Sequence, residues 1–291
     1  MKKDLSGVIT ALLTPFDSHN NVNKKALGEL IERNIAAGVN GFYVCGSTAE
    51  VFLLSDAERR KVYKIVAEKA GGRVPLIAHI GAISTDQATE YGKYAKSLGY
   101  DAISAVAPFY YKFSFDSIRR HYFEIQDTVG LPMIVYNFPN FSGVNLGVAE
   151  ISSFLSSDGF IGVKHTSSDY FALQQFKSAF PDKLVYNGYD ETFLCGLSMG
   201  ADGGIGSTYN FMADKFIKIR QLFLAGDIAG AMKLQETANK IIASLIKVGV
   251  MEGEKEVLCQ MGIDFGRARS PFRELTDEQK ALIAKEIIPL L

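Results

Sequence analysis

A lysine lies within an apolar segment near the middle of the chain, where burying a charged side chain would be costly. The segment GFIGVKHTSSDYF, residues 159–171, predicts a buried strand around Lys164. Lysine is among the residues that are least often fully buried without a partner. Because side chains alternate across a strand, Lys164 and Thr166 share one face. Val163 and His165 share the other face, which we expect to contact surrounding helices.

The chemistry that suits a buried lysine is formation of a Schiff base. Desolvation disfavours the ammonium form and lowers the pKa of the amine. A partly neutral amine is a nucleophile toward a carbonyl carbon, and the imine that forms can accept electrons during bond cleavage. Two alternatives remain open for Lys164: an ion pair with a buried carboxylate, or an ammonium group that reaches past the strand end into water.

Hydroxyl groups at the ends of two other apolar segments suit the same chemistry. Tyr136 ends PMIVYN, and its hydroxyl could carry a proton to and from a substrate oxygen. Ser47 and Thr48 follow a glycine in CGSTAE, and their hydroxyl and backbone N–H groups suit a carboxylate. The alternatives are a core tyrosine bonded to a backbone carbonyl and an ordinary helix-cap turn.

Two carboxylates and a further hydroxyl follow later apolar segments. Asp190 and Glu191 come after KLVYNG, and two carboxylates there would repel a phosphate, so they favour a neutral ligand rich in hydroxyls. Ser207 follows GGIG, and Thr166 shares the face of the lysine. A helix N-cap is the alternative role of Asp190. The sequence therefore predicts a ligand with a small keto acid at one end and a polyol at the other.

Short apolar segments carry these residues, and their alternation with helix-like segments predicts the fold. Near-continuous apolar strands are typical of a parallel sheet covered on both faces. Eight β/α units in about 225 residues match an α/β fold of the (β/α)8 TIM barrel type, whose chemistry lies at the C-terminal strand ends. The alternative is an open doubly wound sheet, but no GxGxxG motif follows the first strand, which we place at residues 8–16. The strand-like segments are GVITALLTPF, GFYVCG, VPLIAHIG, DAISAVAP, PMIVYNFP, FIGVKHT, KLVYNG and GGIGST.

The rest of the chain is predicted to be helical from about Asp214 to the end. We divide the chain into a catalytic barrel, residues 1–225, and a C-terminal helical extension, residues 226–291, packed on the barrel. Two helix starts carry capping-box patterns, in which an N-cap hydroxyl and a side chain three residues later bond each other's backbone. The patterns are Ser55 with Glu58 and Thr276 with Gln279.

Composition excludes several classes of function. Lysine and arginine (31) nearly balance aspartate and glutamate (32), and the net charge of -1 offers no electrostatic basis for binding nucleic acid or an anionic membrane. No apolar run approaches the roughly 20 residues of a membrane span. The cysteines and the four histidines lack metal-ligand spacing, so we predict neither a metal nor an organic cofactor. A reducing cytoplasm fits the three scattered cysteines, Cys45, Cys195 and Cys259.

Six motifs resemble the dihydrodipicolinate synthase/N-acetylneuraminate lyase family of pyruvate-dependent Schiff-base aldolases, in order along the whole chain. The synthase branch reads a substrate carboxylate with an arginine shortly after its YN-x-P motif, where this chain has Asn140, Phe141 and Ser142. The resemblance is therefore closer to the lyase branch, although Ala49 replaces a glycine common there. The motifs are GSTAE (46–50), PFYYKFSF (108–115), YNFPNFSGV (136–144), VKHTSSD (163–169), YNGYDE (186–191) and ADGGIGSTYN (201–210).

The resemblance implies a homotetrameric enzyme that reversibly cleaves N-acetylneuraminate, a sialic acid, to N-acetylmannosamine and pyruvate. It implies that Lys164 forms an imine with the substrate C2 ketone, and that Tyr136 moves the proton with Ser47 in the relay. Tyr110 would reach into the neighbouring subunit's site, although Tyr111 beside it could take that role. The implied ligand contacts are Ser47 and Thr48 for the carboxylate, and Thr166, Gly188, Asp190, Glu191 and Ser207 for the sugar hydroxyls.

Three other functions remain open from the sequence. The nearest is an aldolase that acts on another 2-keto-3-deoxy sugar acid with the same lysine. A condensation like that of dihydrodipicolinate synthase is the second, and the missing arginine speaks against it. The third is a barrel that binds a keto acid without turnover, against which the lysine and tyrosine pair speaks.

Overall fold

The computed structural model describes residues 3–291, in which eight parallel strands close into one barrel in chain order. The last strand pairs with the first, so Gly7 lies beside Gly203 and Thr10 beside Gly206. The predicted (β/α)8 TIM barrel is confirmed, and the open sheet is excluded; the first two residues of the predicted barrel domain lie outside the described part. The strands are β1 (Gly7–Ala11), β2 (Gly41–Val44), β3 (Leu76–His79), β4 (Ala102–Val106), β5 (Met133–Asn137), β6 (Phe160–His165), β7 (Leu184–Asn187) and β8 (Gly203–Gly206).

Helices follow the strands and then form the C-terminal extension. Both capping boxes are present, with Ser55 bonded reciprocally to Glu58 and Thr276 to Gln279, as the sequence predicts. The helices are α1 (Lys24–Ala37), α2 (Asp56–Ala70), α3 (Thr85–Ser97), α4 (Phe115–Val129), α5 (Pro139–Ser142), α6 (Val148–Leu155), α7 (Tyr170–Ala179), α8 (Phe193–Ser198), α9 (Tyr209–Leu224), α10 (Ile228–Val248), α11 (Val250–Gln260) and α12 (Asp277–Glu286).

Apolar side chains fill two separate cores on the two faces of the sheet. The larger core lies between the strands and the helices and includes Val163. The smaller core fills the barrel interior and includes Tyr43, Tyr136, Tyr186 and Ile205. Because both faces of every strand are covered, the strand sequences are nearly all apolar. A polar side chain that points into the barrel is therefore a candidate for a functional role.

The first strand is shorter than the predicted residues 8–16. β1 ends at Ala11, and the following backbone N–H groups turn to other partners: Leu13 donates to the Asn210 side chain and Phe16 donates to the carbonyl of Phe265. Pro15 lies between them and has no N–H to donate to a neighbouring strand. The apolar character of this segment comes from burial in the outer core, where Leu12, Leu13 and Phe16 lie.

The end of the chain is also less helical than predicted. Between α11 and α12, residues 261–276 run without regular structure apart from turns, and Gly262 and Gly266 there have φ of 91° and 73°. Such values favour glycine and end a helix. α10 packs against α9, and α12 packs against α10 and α11, so the extension lies on the barrel. The domain boundary at residue 225 remains a prediction. No helix of residues 3–291 combines the length and apolarity that crossing a membrane requires.

Candidate active site

Lys164 points into the barrel from the C-terminal half of β6. It lies in register with Tyr136 on β5 and Tyr186 on β7, and only 5% of its surface is exposed. Val163 belongs to the outer core, and the ring of His165 packs on Phe176 of α7 at 5.3 Å between centroids. The predicted alternation is therefore confirmed: Lys164 faces the barrel interior, and Val163 and His165 face the helices.

Aromatic faces surround the Lys164 amine. Its Nζ atom lies 4.2 Å from the ring centre of Tyr136 and 4.6 Å from that of Tyr43. Burial lowers the pKa of Lys164 to about 7, and the negative charge of Asp190 opposes this shift without cancelling it. About half of the amine is then neutral at pH 7, whereas an ordinary lysine has less than about one neutral molecule in a thousand. The site can present a nucleophilic amine.

Tyr136 sits beside the amine with two hydroxyl groups near its own. Burial raises the pKa of Tyr136 to about 12, and the neighbouring hydroxyls of Ser47 and Thr166 oppose that rise. Within the described part of the chain, Thr166 Oγ1 is buried and has no well-aligned hydrogen-bond partner. A Cβ atom at Gly188 would lie 1.9 Å from that oxygen, so residue 188 must be glycine for Thr166 to keep its place.

The loop after β2 forms one wall of the barrel mouth. Ser47 and Thr48 lie in a 3-10 turn, Ser47–Ala49, and Glu50 follows in the left-handed region with φ of 56°. Thr14 Oγ1 donates to the carbonyl of Ala49 at 3.0 Å and ties this turn to the segment after β1. Ser47 lines a cleft of about 460 Å³ together with mostly apolar side chains, including Val51, Phe52, Val106, Phe109, Phe141, Pro271 and Phe272.

The opposite side of the mouth is built by the loops after β7 and β8. Asp190 Oδ2 accepts hydrogen bonds from the backbone N–H (2.9 Å) and the hydroxyl (2.7 Å) of Thr208. Asp190 therefore joins these two loops, and it is not the N-cap of its own turn, where Tyr189 stands. Burial raises the pKa of Asp190 to about 6, and the bonds from Thr208 oppose this rise. Glu191 is exposed, and Ser207 donates to Glu254 at 2.6 Å.

Tyr110 and Tyr111 lie away from this cluster in the loop after β4. They are 82% and 62% exposed, and their rings contact each other with centroids 5.1 Å apart. Tyr110 has a φ of 81°, which is uncommon for a residue with a side chain. The chain brings the other predicted site residues to one barrel mouth, and these two tyrosines extend beyond it.

Sequence reasoning missed several residues that shape the site. Tyr43 packs on the amine, and alternation along GFYV was a usable signal, since Phe42 and Val44 face the outer core. Glu254 and Lys255 come from α11 and are fully buried. No local sequence pattern predicts their burial or their contacts, because their partners are distant in sequence.

Comparison with known proteins places the whole chain in one group. Residues 4–288 match the model of the dihydrodipicolinate synthetase family. An N-acetylneuraminate lyase of Rhizobium meliloti is 46% identical over 288 residues, which is 99% of this chain and 96% of the relative. A Clostridium difficile structure in complex with mannosamine has a TM-score of 0.97 at 35% identity and covers 99% of this chain and 100% of that chain. An N-acetylneuraminate lyase structure from Fusobacterium nucleatum has a TM-score of 0.94 at 37% identity, with 99% of both chains covered.

Proposed function

The chain belongs to the dihydrodipicolinate synthetase family, and we propose that it reversibly cleaves N-acetylneuraminate to N-acetylmannosamine and pyruvate. The observation that carries the proposal is the buried Lys164 amine with a pKa of about 7, placed beside Tyr136 at the barrel mouth. The choice of substrate rests on the 46% identity to an N-acetylneuraminate lyase. The related structure in complex with mannosamine supports an amino sugar as the class of ligand.

The first step joins the substrate to the enzyme. The neutral Lys164 amine attacks the C2 ketone of the open-chain sugar acid, and the resulting carbinolamine loses its hydroxyl as water. Tyr136 donates the proton that this hydroxyl needs, which leaves a phenolate beside the new iminium cation. Burial raises the pKa of Tyr136 to about 12, so the residue is protonated and ready to donate at neutral pH.

Carbon–carbon cleavage follows from this arrangement of charges. The Tyr136 phenolate takes the proton of the C4 hydroxyl, C4 becomes an aldehyde, and the C3–C4 electron pair moves into the iminium to give an enamine. Tyr136 then returns its proton to C3, and water hydrolyses the pyruvate imine to release Lys164. Ser47, whose hydroxyl neighbours that of Tyr136, relays the proton.

The two ends of the substrate fit the two sides of the mouth. The Ser47–Ala49 turn offers hydroxyl and backbone N–H groups to the carboxylate next to the ketone, through Ser47 and Thr48. The hydroxyls of the sugar face the loops after β6, β7 and β8. The residues assigned to them are Thr166, Gly188, Asp190, Glu191 and Ser207.

Assembly and compartment complete the proposal. Exposed aromatic side chains in the segments after β4 and β5 suit burial against another subunit, and we assign the chain to a homotetramer; they are Tyr110, Tyr111 and Phe141. Tyr110 then reaches the neighbouring site. The three free cysteines, of which Cys195 is exposed, fit the reducing cytoplasm.

The test combines turnover with trapping of the covalent intermediate. Pyruvate release from N-acetylneuraminate is followed with a coupled assay, and the protein is incubated with pyruvate and borohydride before mass spectrometry. We expect turnover and a pyruvyl adduct on Lys164, and neither in a Lys164→Ala variant. An adduct together with faster cleavage of a simpler 2-keto-3-deoxy sugar acid would overturn the choice of substrate. No adduct would overturn the mechanism.

A further inference from the structure

Two consecutive charged residues of α11, Glu254 and Lys255, are completely buried. Neither takes part in the mechanism above. Consecutive residues on a helix point about 100° apart, so these two side chains reach different partners. Each of those partners lies next to one end of the proposed substrate site.

Glu254 holds the Ser207 hydroxyl on the sugar side. Ser207 Oγ donates to Glu254 Oε1 at 2.6 Å, and Glu254 Oε2 is buried without a hydrogen-bond partner among residues 3–291. Since the hydroxyl has one hydrogen, giving it to Glu254 fixes the rotor and leaves the oxygen lone pairs for a ligand hydroxyl to donate to. Burial raises the pKa of Glu254 to about 8, and the charge of Asp190 adds to this rise.

Lys255 acts on the opposite wall through Glu50. The ammonium and the Glu50 carboxylate form an ion pair whose two side chains are 1% and 0% exposed. Lys255 Nζ also donates to the carbonyl of Arg267 at 3.2 Å, and the backbone N–H of Arg269 donates to Glu50 Oε2 at 2.6 Å. The Glu50 carboxylate is therefore anchored entirely by the C-terminal extension.

Glu50 is part of the turn that carries the proposed carboxylate-binding hydroxyls. Its N–H donates to the carbonyl of Ser47 at 3.0 Å, and its own carbonyl accepts from Leu53 at 2.8 Å. Its backbone has a φ of 56°, a conformation that persists when the surroundings hold it. Anchoring the carboxylate thus fixes the direction of the Ser47–Ala49 turn.

We propose that Glu254 and Lys255 are positioning residues, one for each end of the substrate. Glu254 orients Ser207 toward the sugar, and Lys255, through Glu50, sets the turn that binds the keto-acid carboxylate. The inference rests on the proposed function and gives the C-terminal extension a role in catalysis. It predicts that the two neighbours have separable kinetic effects.

The test measures the two ends of the substrate independently. In the condensation direction, KM is determined for pyruvate and for N-acetylmannosamine, and borohydride trapping gives the pyruvate concentration that half-saturates Lys164. Glu254→Leu is expected to raise KM for N-acetylmannosamine by about three- to tenfold, the effect of one hydrogen bond, with the pyruvate constants unchanged. Glu254→Gln keeps an acceptor oxygen for Ser207 and should restore most of the loss.

The Lys255 arm uses a double variant, because removing the lysine alone leaves the Glu50 carboxylate buried without its cation. Lys255→Met combined with Glu50→Gln is expected to raise KM for pyruvate and the half-saturating concentration about tenfold, since the charge-assisted bonds that anchor the turn are lost. KM for N-acetylmannosamine should stay unchanged. Glu256→Gln on the same helix and Lys247→Met, whose partner is Glu286 on α12, serve as controls.

The outcomes separate the positioning role from a purely structural one. If both constants move together in each variant, or if only the thermal midpoint falls, the inference is wrong. A parent chain that traps pyruvate but does not cleave N-acetylneuraminate would overturn the proposed function alone, since trapping still measures the Lys255 arm. A parent chain that traps nothing would overturn both.

Discussion

At the scale of single residues, the proposed chemistry depends on the protonation state of Lys164. Burial lowers the pKa of the amine to about 7, so the nucleophilic form is lost as pH falls through 7. At subsaturating pyruvate we expect the trapping rate to drop nearly tenfold per pH unit below about 6.5 and to level off above about 7.5. Quenched borohydride trapping between pH 5 and 10 measures this profile. A rate that keeps rising toward pH 10 would mean an ordinary lysine.

Gly188 provides the space in which Thr166 stands. In Gly188→Ala the added methyl would lie 1.9 Å from Thr166 Oγ1 and 2.8 Å from Thr166 Cα, so the backbone must shift as well as the hydroxyl. We expect KM for N-acetylneuraminate to rise at least about tenfold, in line with overpacking of a filled site. Steady-state kinetics measure the effect.

Gly147→Ala is the matched control, because its methyl would meet only a carboxylate oxygen of Glu150 at 3.1 Å. The control should leave kcat and KM within about twofold, as surface changes usually do. If Gly188→Ala had the same kcat and KM as Gly147→Ala, Thr166 would be able to move without loss of activity. The space that Gly188 leaves for Thr166 would then have no effect on catalysis.

The local sequence pattern predicts the orientation of some site residues but not the long-range contacts of others. Strand alternation was enough to orient Lys164, because its neighbours in sequence decide which face it takes. The bond between Ser207 and Glu254 joins residues 47 apart, and that between Arg269 and Glu50 joins residues 219 apart. Neither end carries a periodic signal for such a contact, so only the folded chain reveals it.

At the scale of elements, the close approach of β6 to β7 determines where Lys164 lies relative to its neighbouring strand. A Cβ atom at Gly162 would lie 2.2 Å from the backbone carbonyl oxygen of Leu184, which cannot rotate away. Gly162→Ala should push these strands apart, lower the thermal midpoint by about 2–8 °C, and reduce activity through the lysine two residues further on. Calorimetry and the coupled assay measure the two effects.

Gly159→Ala, just before the same strand, provides the comparison. Its methyl would meet the amide end of Gln126, at 2.3 Å from Cδ, and that flexible side chain can move. We expect a much smaller change in the thermal midpoint and near-normal activity. A similar loss in both variants would indicate that any alanine near the start of β6 is harmful and would contradict the specific role of the contact with Leu184.

Predictions of helices and strands were correct where neighbouring residues determine the structure. They were wrong where contacts with distant segments determine it. The capping box at Ser55 is encoded within four residues and was predicted correctly. The segment after β1 looks like a strand because it is apolar, yet Phe16 is buried against Lys255 and Arg269, which lie 4.2 and 4.1 Å over its ring. Apolar character reports burial and does not distinguish a sheet from a covered loop.

At the scale of the whole molecule, the closed barrel could be predicted from the number of β/α units, which is eight. No comparable sequence pattern identifies the residues that contact another subunit. The relevant surface is the loop after β4, where Tyr110 and Tyr111 are 82% and 62% exposed. Aromatic side chains with this exposure are typical of interface anchors. If Tyr110 completes the neighbouring site, activity requires two chains at each catalytic centre.

Mixing two inactive variants tests this directly. In a mixed pair of Lys164→Ala and Tyr110→Ala chains, the subunit that keeps Lys164 receives an intact Tyr110 from its partner, so one of the two sites is complete. With random exchange we expect about a quarter of the activity of the unmodified protein, since half of the pairs are mixed and each has one working site. Tyr111→Ala in place of Tyr110→Ala distinguishes the two tyrosines, because only the residue that crosses between subunits can be complemented. If Tyr110→Ala and Tyr111→Ala each keep full activity, or if mixing restores nothing for either variant although native mass spectrometry shows exchanged subunits, each site is complete within its own chain and the catalytic role of the interface is wrong.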